Sequence, residues 1–244
     1  MRFEVRYKPE HQKRRWFGYF DLLGTKARIE SSSHFQVFDV YARAVEAAKG
    51  RTTDMPAVSY ACFSDSFIIY TESDSGRDLA CIDSVARWFV YNLITSRIPV
   101  RGALSCGDFY ADKENSIYFG SALIEAHAYG EAQDWLGLLL APSAVLQMDK
   151  LGVPAGKRLN YAYGKIPFKP GSTLGTAREL PACILGQWIS LNGQNPCIEA
   201  MAEMKNRAVA DSHVGKYERA IEFIQKNRRV PVMRQPQPKG AEPS

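Results

Sequence analysis

The sequence predicts an α/β fold, an α+β sandwich in which helices cover one face of a mainly antiparallel sheet. In the first 150 residues, apolar runs typical of strands alternate with helical periodicity in the order β-α-β-β-α-β-(β)-α-β. Two of the runs are separated only by Ser64, Asp65 and Ser66, which indicates a hairpin. Hydrophobic residues make up 45% of the chain and aromatic residues 11%, so a substantial core can form.

Each predicted element rests on a local pattern. The run at 15–20 reads as a buried strand ending at Asp21, and Gly24 with Thr25 then makes a tight turn. A helix at 34–49 is expected to stop at Gly50, and its apolar stripe consists of Phe35, Phe38, Tyr41, Ala42 and Val45. The remaining predicted strands are 58–63, 67–71, 99–106, 107–110 and 136–140, and the remaining helices are 78–95, 120–133 and 142–149.

The domain organisation is predicted as one catalytic core with an extension. Residues 1–150 form the core, and residues 151–229 form a C-terminal part of the same domain. Strands are expected there at 159–163 and 182–189, and a helix at 211–226. Residues 230–244 are rich in proline and polar side chains, which is typical of a disordered tail.

Composition excludes several classes of function. The formal net charge is only +5, so a solvated surface is favoured over nucleic-acid binding. The five cysteines form no CxxC pair, which argues against a zinc site or a disulfide framework and for the reducing cytoplasm. The N-terminus has no apolar signal region and no apolar run is long enough for a membrane span, so no membrane partner is expected.

Two aspartates stand where strands seldom carry them. Asp21 ends an apolar strand, and Asp65 lies at the hairpin tip. Two carboxylates that converge at a sheet end repel each other unless a cation lies between them. Mg²⁺ and Mn²⁺ prefer such oxygen ligands together with substrate phosphates, and a pair of these ions can activate an attacking oxygen and stabilise a leaving one. The turn after Asp21 offers backbone N–H groups to a polyphosphate, although two turn-capping aspartates are an equal alternative from spacing alone.

The motif Phe20-Asp21-Leu22-Leu23-Gly24-Thr25-Lys26 resembles the first metal-binding motif of class III nucleotidyl cyclases. Asp65 follows Asp21 by 44 residues, close to the family's spacing to its second metal-binding Asp at a hairpin tip. The segment IPVRGALSCGDFY, the helix opened by Gly120 and the strand at 136–140 also follow the family's order. The resemblance covers roughly residues 14–150 and implies a class III cyclase-like palm.

The resemblance assigns roles to these residues. It implies two Mn²⁺ or Mg²⁺ ions with Asp21, Leu22 and Asp65 as metal ligands, Asp21 and Asp65 being catalytic. It also implies substrate binding by residues of the turn, namely Leu22, Leu23, Gly24, Thr25 and Lys26. Class III cyclases work as head-to-tail homodimers with sites at the interface, so a homodimer is expected here.

The sequence departs from the family at the positions that stabilise the reaction and select the base. The family's helix Asn and Arg are replaced by Ile124 and Ala128. Arg101 or His127 is a candidate for the missing cation, and Arg101 is the predicted catalytic residue. Lys165 and Lys169 are weaker candidates for phosphate contacts. A structural ion pair is an equal interpretation of Arg101, and a plain surface residue of His127.

The positions that read purines in the family hold Ala61 and Ile117, which cannot hydrogen-bond to a base edge. The pattern looks most like the pyrimidine cyclases of the bacterial antiphage systems called Pycsar. That resemblance implies UTP as substrate with CTP second, a cyclic pyrimidine nucleotide as messenger and a separate effector protein. Tyr41 is a candidate for contact with the base, with core packing as the alternative. Two other readings stay open: a catalytically inactive cyclase-like nucleotide-binding module, and a palm polymerase or diguanylate cyclase relative.

Overall fold

The computed structural model describes residues 5–24, 34–52, 58–158, 160–188, 194–208 and 211–228. Its strands are β1 Gln12–Leu22, β2 Val58–Phe63, β3 Ser66–Thr71, β4 Val100–Asp112, β5 Ile117–Phe119, β6 Gly137–Leu140, β7 Tyr161–Pro167 and β8 Ala177–Cys183. Its helices are α1 His34–Thr52, α2 Gly76–Thr95, α3 Ser121–Ala132, α4 Pro142–Lys150, α5 Pro196–Asn206 and α6 Asp211–Asn227. Two short 3₁₀ turns, Pro9–His11 and Ala155–Lys157, complete the described elements.

All eight described strands belong to one sheet. Its order is β2-β3-β1-β4-β6-β8-β7, and β5 pairs with β4. The β4–β6 pairing is parallel and the other pairings are antiparallel, so the expected mainly antiparallel sheet is confirmed. β7 and β8, which lie beyond residue 150, continue this sheet through β6.

The alternation of side chains along β1 divides the core between the two sheet faces. Trp16 and Phe20 pack into the larger core, which also contains the buried side of α2. Phe17 and Tyr19 pack into a smaller core together with residues of α3, so helices cover both faces of the sheet and not the single face that the sequence predicts. Asp21 has the parity of Phe17 and Tyr19, so the strand period directs it to the face that α3 covers.

Most predicted elements are present, and four further expectations need correction. The helix continues through Gly50 to Thr52, because glycine weakens a helix by only about 1 kcal/mol. β4 is one strand of 13 residues, because Gly107 continues the pairing with β1 and gives room for α3. Phe35 and Phe38 are exposed (77% and 68%), so these two residues of the apolar stripe predicted on α1 do not pack in the core.

The fourth correction concerns the C-terminal part. The strand expected at 182–189 runs instead over Ala177–Cys183, because its partner β7 ends the register at Tyr161 opposite Cys183. Helix α5 and the short strand β5 were not expected from the sequence. The tail at 230–244 lies outside the described residues, and its predicted disorder stays a prediction.

Candidate active site

Asp21 lies where three strands meet. In β1 it is paired with Ser66 of β3 on one side and with Arg101 of β4 on the other. Asp21 is only 8% exposed, so its carboxylate has little contact with bulk water. At the end of a strand, pairing with the neighbouring strands still fixes the position of a side chain. The space beyond the strand end stays open to a ligand.

Asp65 lies at the tip of the β2–β3 hairpin, beside the end of β1. Ser64 has a left-handed φ of 53°, which turns the chain tightly at this tip. The Leu22 N–H donates to the Asp65 carbonyl oxygen at 3.0 Å, so the tip is bonded to the residue that follows Asp21. Both aspartates therefore belong to the same corner of the sheet, as the sequence predicts.

Arg101 makes a buried ion pair with Asp21. Its Nη2 and Nε atoms donate to Asp21 Oδ2 at 2.6 and 3.0 Å. Nη2 also donates to Glu131 Oε2 at 2.9 Å, and Nη1 donates to the Gln133 carbonyl at 2.9 Å. The guanidinium is thus directed at protein acceptors, and its predicted role toward the substrate stays a prediction.

Glu131, near the end of α3, links Arg101 to Lys169 and Tyr19. Lys169 lies 3.3 Å from Glu131 Oε2, and the Tyr19 hydroxyl donates to Glu131 Oε1 at 3.3 Å. The same Tyr19 hydroxyl lies 3.0 Å from Ser66 Oγ on β3. Sequence reasoning missed Glu131, because nothing in its local pattern marks it; only the packing of α3 on the sheet brings it to Asp21.

The pKa values of Asp21 and Glu131 shift in opposite directions. Burial raises the pKa of Asp21 to about 6; Arg101 opposes the rise and the charge of Glu131 adds to it. Burial also acts on Glu131, but Arg101 and Lys169 outweigh it and lower the pKa of Glu131. Asp21 therefore takes up a proton first as the pH falls.

The turn after β1 is open at its glycine. Leu23 N–H donates to the Pro99 carbonyl at 2.8 Å, which fixes the start of the turn against β4. Gly24 has a φ of +77°, and a Cβ added there would meet no atom of the described residues within 4 Å. Thr25 and Lys26, predicted to bind substrate, lie outside the described residues.

The remaining predicted residues lie on several elements, and Ile117 lies away from this corner, because it pairs with Asp112 at the opposite end of β4 from Arg101. Leu22 is buried in the main core, and Tyr41 is partly buried and packs against the same core from α1. The His127 ring meets the Tyr19 ring edge-on at 4.9 Å on the α3 face. Ala61 faces Ile68 across the hairpin, and Ile117 opens β5.

The donors at this corner fit a divalent cation that is shared with a substrate. Among the described residues, no group of three or more His, Cys, Asp and Glu side chains is placed to hold a metal ion. Two carboxylates and main-chain oxygens are instead the kind of set with which Mg²⁺ completes its shell through phosphate and water. The residues that could hold Mg²⁺ or Mn²⁺ here are Asp21 and Asp65, with Leu22 as the further ligand that the resemblance implies, and these assignments stay predictions.

Comparison with known proteins identifies the fold. No protein-family model and no curated protein sequence matches the chain. The catalytic core of a rhodopsin-guanylyl cyclase with converted specificity, in complex with ATPαS, aligns with a TM-score of 0.54 at 9% identity. That alignment covers 70% of this chain and 96% of the cyclase core.

Two further solved structures align over 70% of this chain. The adenylyl cyclase CyaB from P. aeruginosa has a TM-score of 0.51 at 10% identity over 94% of its chain. The guanylate cyclase domain of RhGC from Catenaria anguillulae, in complex with GTP, has a TM-score of 0.51 at 9% identity over 97% of its chain. The fold is therefore the palm of class III cyclase catalytic domains. None of the described helices is long and apolar enough to cross a membrane.

Proposed function

We propose that the protein is a metal-dependent nucleotidyl cyclase. The observation that carries the proposal is the meeting of Asp21 and Asp65 at one corner of a cyclase palm, beside the open turn at Gly24. In the proposed reaction the 3′-hydroxyl of a nucleoside triphosphate gives its proton to water, and its oxygen bonds to the α-phosphorus of the same molecule. The bond from the α-phosphorus to the bridging oxygen breaks, and pyrophosphate leaves with that electron pair.

The residues of the chain prepare this reaction in three ways. Asp21 and Asp65 would hold the divalent cations, which supply charge to neutralise the triphosphate and acidify the 3′-hydroxyl when bound. Arg101 keeps the Asp21 carboxylate in place through two hydrogen bonds to Oδ2. The backbone at Gly24, where no atom of the described residues lies within 4 Å of an added Cβ, is available to phosphate oxygens.

The proposed substrate is a pyrimidine nucleoside triphosphate, with UTP preferred and CTP second. The support is chemical: Ala61 and Ile117 have no side-chain donor or acceptor with which to satisfy a purine edge. A site that lacks those partners leaves buried purine groups unpaired, which costs binding. We further propose that the cyclic product is an antiphage messenger read by a separate effector.

A homodimer is the proposed working state. Phe63, two residues before Asp65, is 86% exposed, and Ile124 on α3 is 68% exposed. A large apolar side chain this exposed next to Asp65, together with a second one on α3, favours an interface between two copies of the chain. A partner subunit is also a source for the cation that Ala128 does not supply.

A catalytically inactive nucleotide-binding module is the second candidate. Two observations favour it: Arg101 pairs with the Asp21 carboxylate, and Ile124 with Ala128 replaces the family's helix Asn and Arg. Such a module would bind a nucleoside triphosphate and metal without releasing a cyclic product.

The deciding experiment supplies each of the four nucleoside triphosphates with Mn²⁺ to the purified protein and identifies products by mass spectrometry. We expect cyclic UMP as the main product, and its loss in Asp65→Ala, whose side chain lies at a polar turn. Asp108→Ala is the matched control, because Asp108 is an exposed acid elsewhere on the sheet. Cyclic AMP or cyclic GMP as the main product contradicts the base assignment, and no product with retained nucleotide binding favours the inactive module.

A further inference from the structure

A cavity lies against the turn that follows Asp21. It has a volume of about 130 Å³, and its walls include Leu23, Gly24, Pro99, His213, Lys216 and Tyr217. One wall therefore belongs to the turn beside the candidate metal site, and the other belongs to helix α6, nearly 200 residues later. The volume is too small for a whole nucleoside triphosphate, for which about 300 Å³ or more is typical, but phosphate groups fit.

Lys216 brings an uncompensated positive charge to this cavity. It is half-buried, and among the described residues it forms no ion pair. Asp134, the acid whose charge raises the pKa of Lys216, already pairs with Arg219 at 2.6 Å.

The surroundings of Lys216 are more basic than acidic. Burial lowers its pKa, Asp134 partly opposes that effect, and Arg101, Lys169 and Arg219 lower it further. A half-buried ammonium with cationic neighbours is costly in the free protein, and an anionic ligand offsets that cost. Gly24, where no atom of the described part of the chain lies within 4 Å of an added Cβ, lines the same cavity.

We propose that Lys216 binds the polyphosphate of the substrate, supplying from helix α6 of the same subunit a positive charge opposite the Gly24 turn. The assignment rests on the proposed function, since it names a substrate contact of that site. It gives the C-terminal part of the chain a role in substrate binding. It also places a phosphate-binding cation within one subunit, independent of any cation from a partner.

The test measures binding of magnesium tripolyphosphate by isothermal titration calorimetry, without nucleoside or turnover. Lys216→Met is expected to weaken binding by about tenfold or more, the range of a lost charge-assisted hydrogen bond. Lys216→Arg is expected to keep most of the affinity. Lys226→Met is the matched control, because Lys226 is an exposed lysine later on α6; its affinity should stay within about twofold of the native value.

The outcomes separate this inference from the proposed function. Native protein that does not bind tripolyphosphate, or a well-folded Lys216→Met that binds like Lys226→Met, overturns the inference. If cyclic nucleotide is still made, the function survives that result. Conversely, selective loss of tripolyphosphate binding in Lys216→Met supports the inference even if no nucleotide is cyclised. Circular dichroism of each variant checks that loss of binding is not loss of fold.

Discussion

Replacement of Arg101 by methionine removes the cation that bridges Asp21 and Glu131. Arg101 is 3% exposed and donates to Asp21, Glu131 and the Gln133 carbonyl. Methionine fills much of the same volume but donates no hydrogen bond. Two acids that shared one guanidinium would then face each other in a mostly dry site, with only Lys169 left as a cation on Glu131.

The burial of Arg101 and Asp21 sets the expected loss of stability. Removing one partner of a buried ion pair destabilises a protein by about 3–5 kcal/mol, because the other charge stays buried and unpaired. Arg14→Met is the control on the same strand as Asp21. The Arg14 pair with Asp74 measures 3.2 Å and its side chain is 50% exposed, so its loss should cost about 0–1 kcal/mol.

The assay is urea unfolding at pH 7.5, followed by tryptophan fluorescence and circular dichroism. Adding Glu131→Gln to Arg101→Met should restore part of the lost stability, because it removes one of the opposed charges. The deficit should also shrink at pH 5. Asp21, whose pKa is already raised to about 6 in the native protein, takes up a proton as the pH falls through that value, and the repulsion ends.

Two results would refute this reasoning. The first is an Arg101→Met variant that loses no more stability than Arg14→Met. The second is a double variant with Glu131→Gln that is no more stable than Arg101→Met alone. Either would mean that the guanidinium does not compensate buried charge at this corner.

Three further changes test the fold and the assembly. Gly120→Ala should lower the midpoint of thermal unfolding, because at a φ of +148° its Cβ would lie 2.2 Å from the Asp108 carbonyl oxygen; an unchanged midpoint contradicts the close packing. Tyr161→Phe should cost about 1–3 kcal/mol in urea unfolding, because the buried hydroxyl donates to Asp83 at 2.7 Å; a loss near zero would show that Asp83 has enough other donors. Phe63→Glu should shift sedimentation toward the monomer and reduce product formation without unfolding the chain, since the ring is 86% exposed; a dimer of unchanged affinity would remove this face from the interface.

The local pattern of the sequence determined much of the palm. The period of side chains in β1 and the short link Ser64-Asp65 predicted a strand beside a hairpin, and the structure has both. The two aspartates could be predicted to share a corner because each ends an element whose length and pairing are locally encoded. Helix ends and the long strand β4 were predicted less well, since glycine at 50 and 107 permits several backbone roles and only the neighbours choose between them.

The tertiary structure alone decided what surrounds Asp21. Arg101 meets that carboxylate through the β1–β4 register, and Glu131 arrives only because α3 packs on the same face. Lys216 reaches the turn at Gly24 from the far end of the chain. Local propensity does not encode contacts between residues so far apart in the chain. These contacts form because burial of both sheet faces selects one packing of the helices. That packing then decides which charged side chains have an oppositely charged partner and which do not.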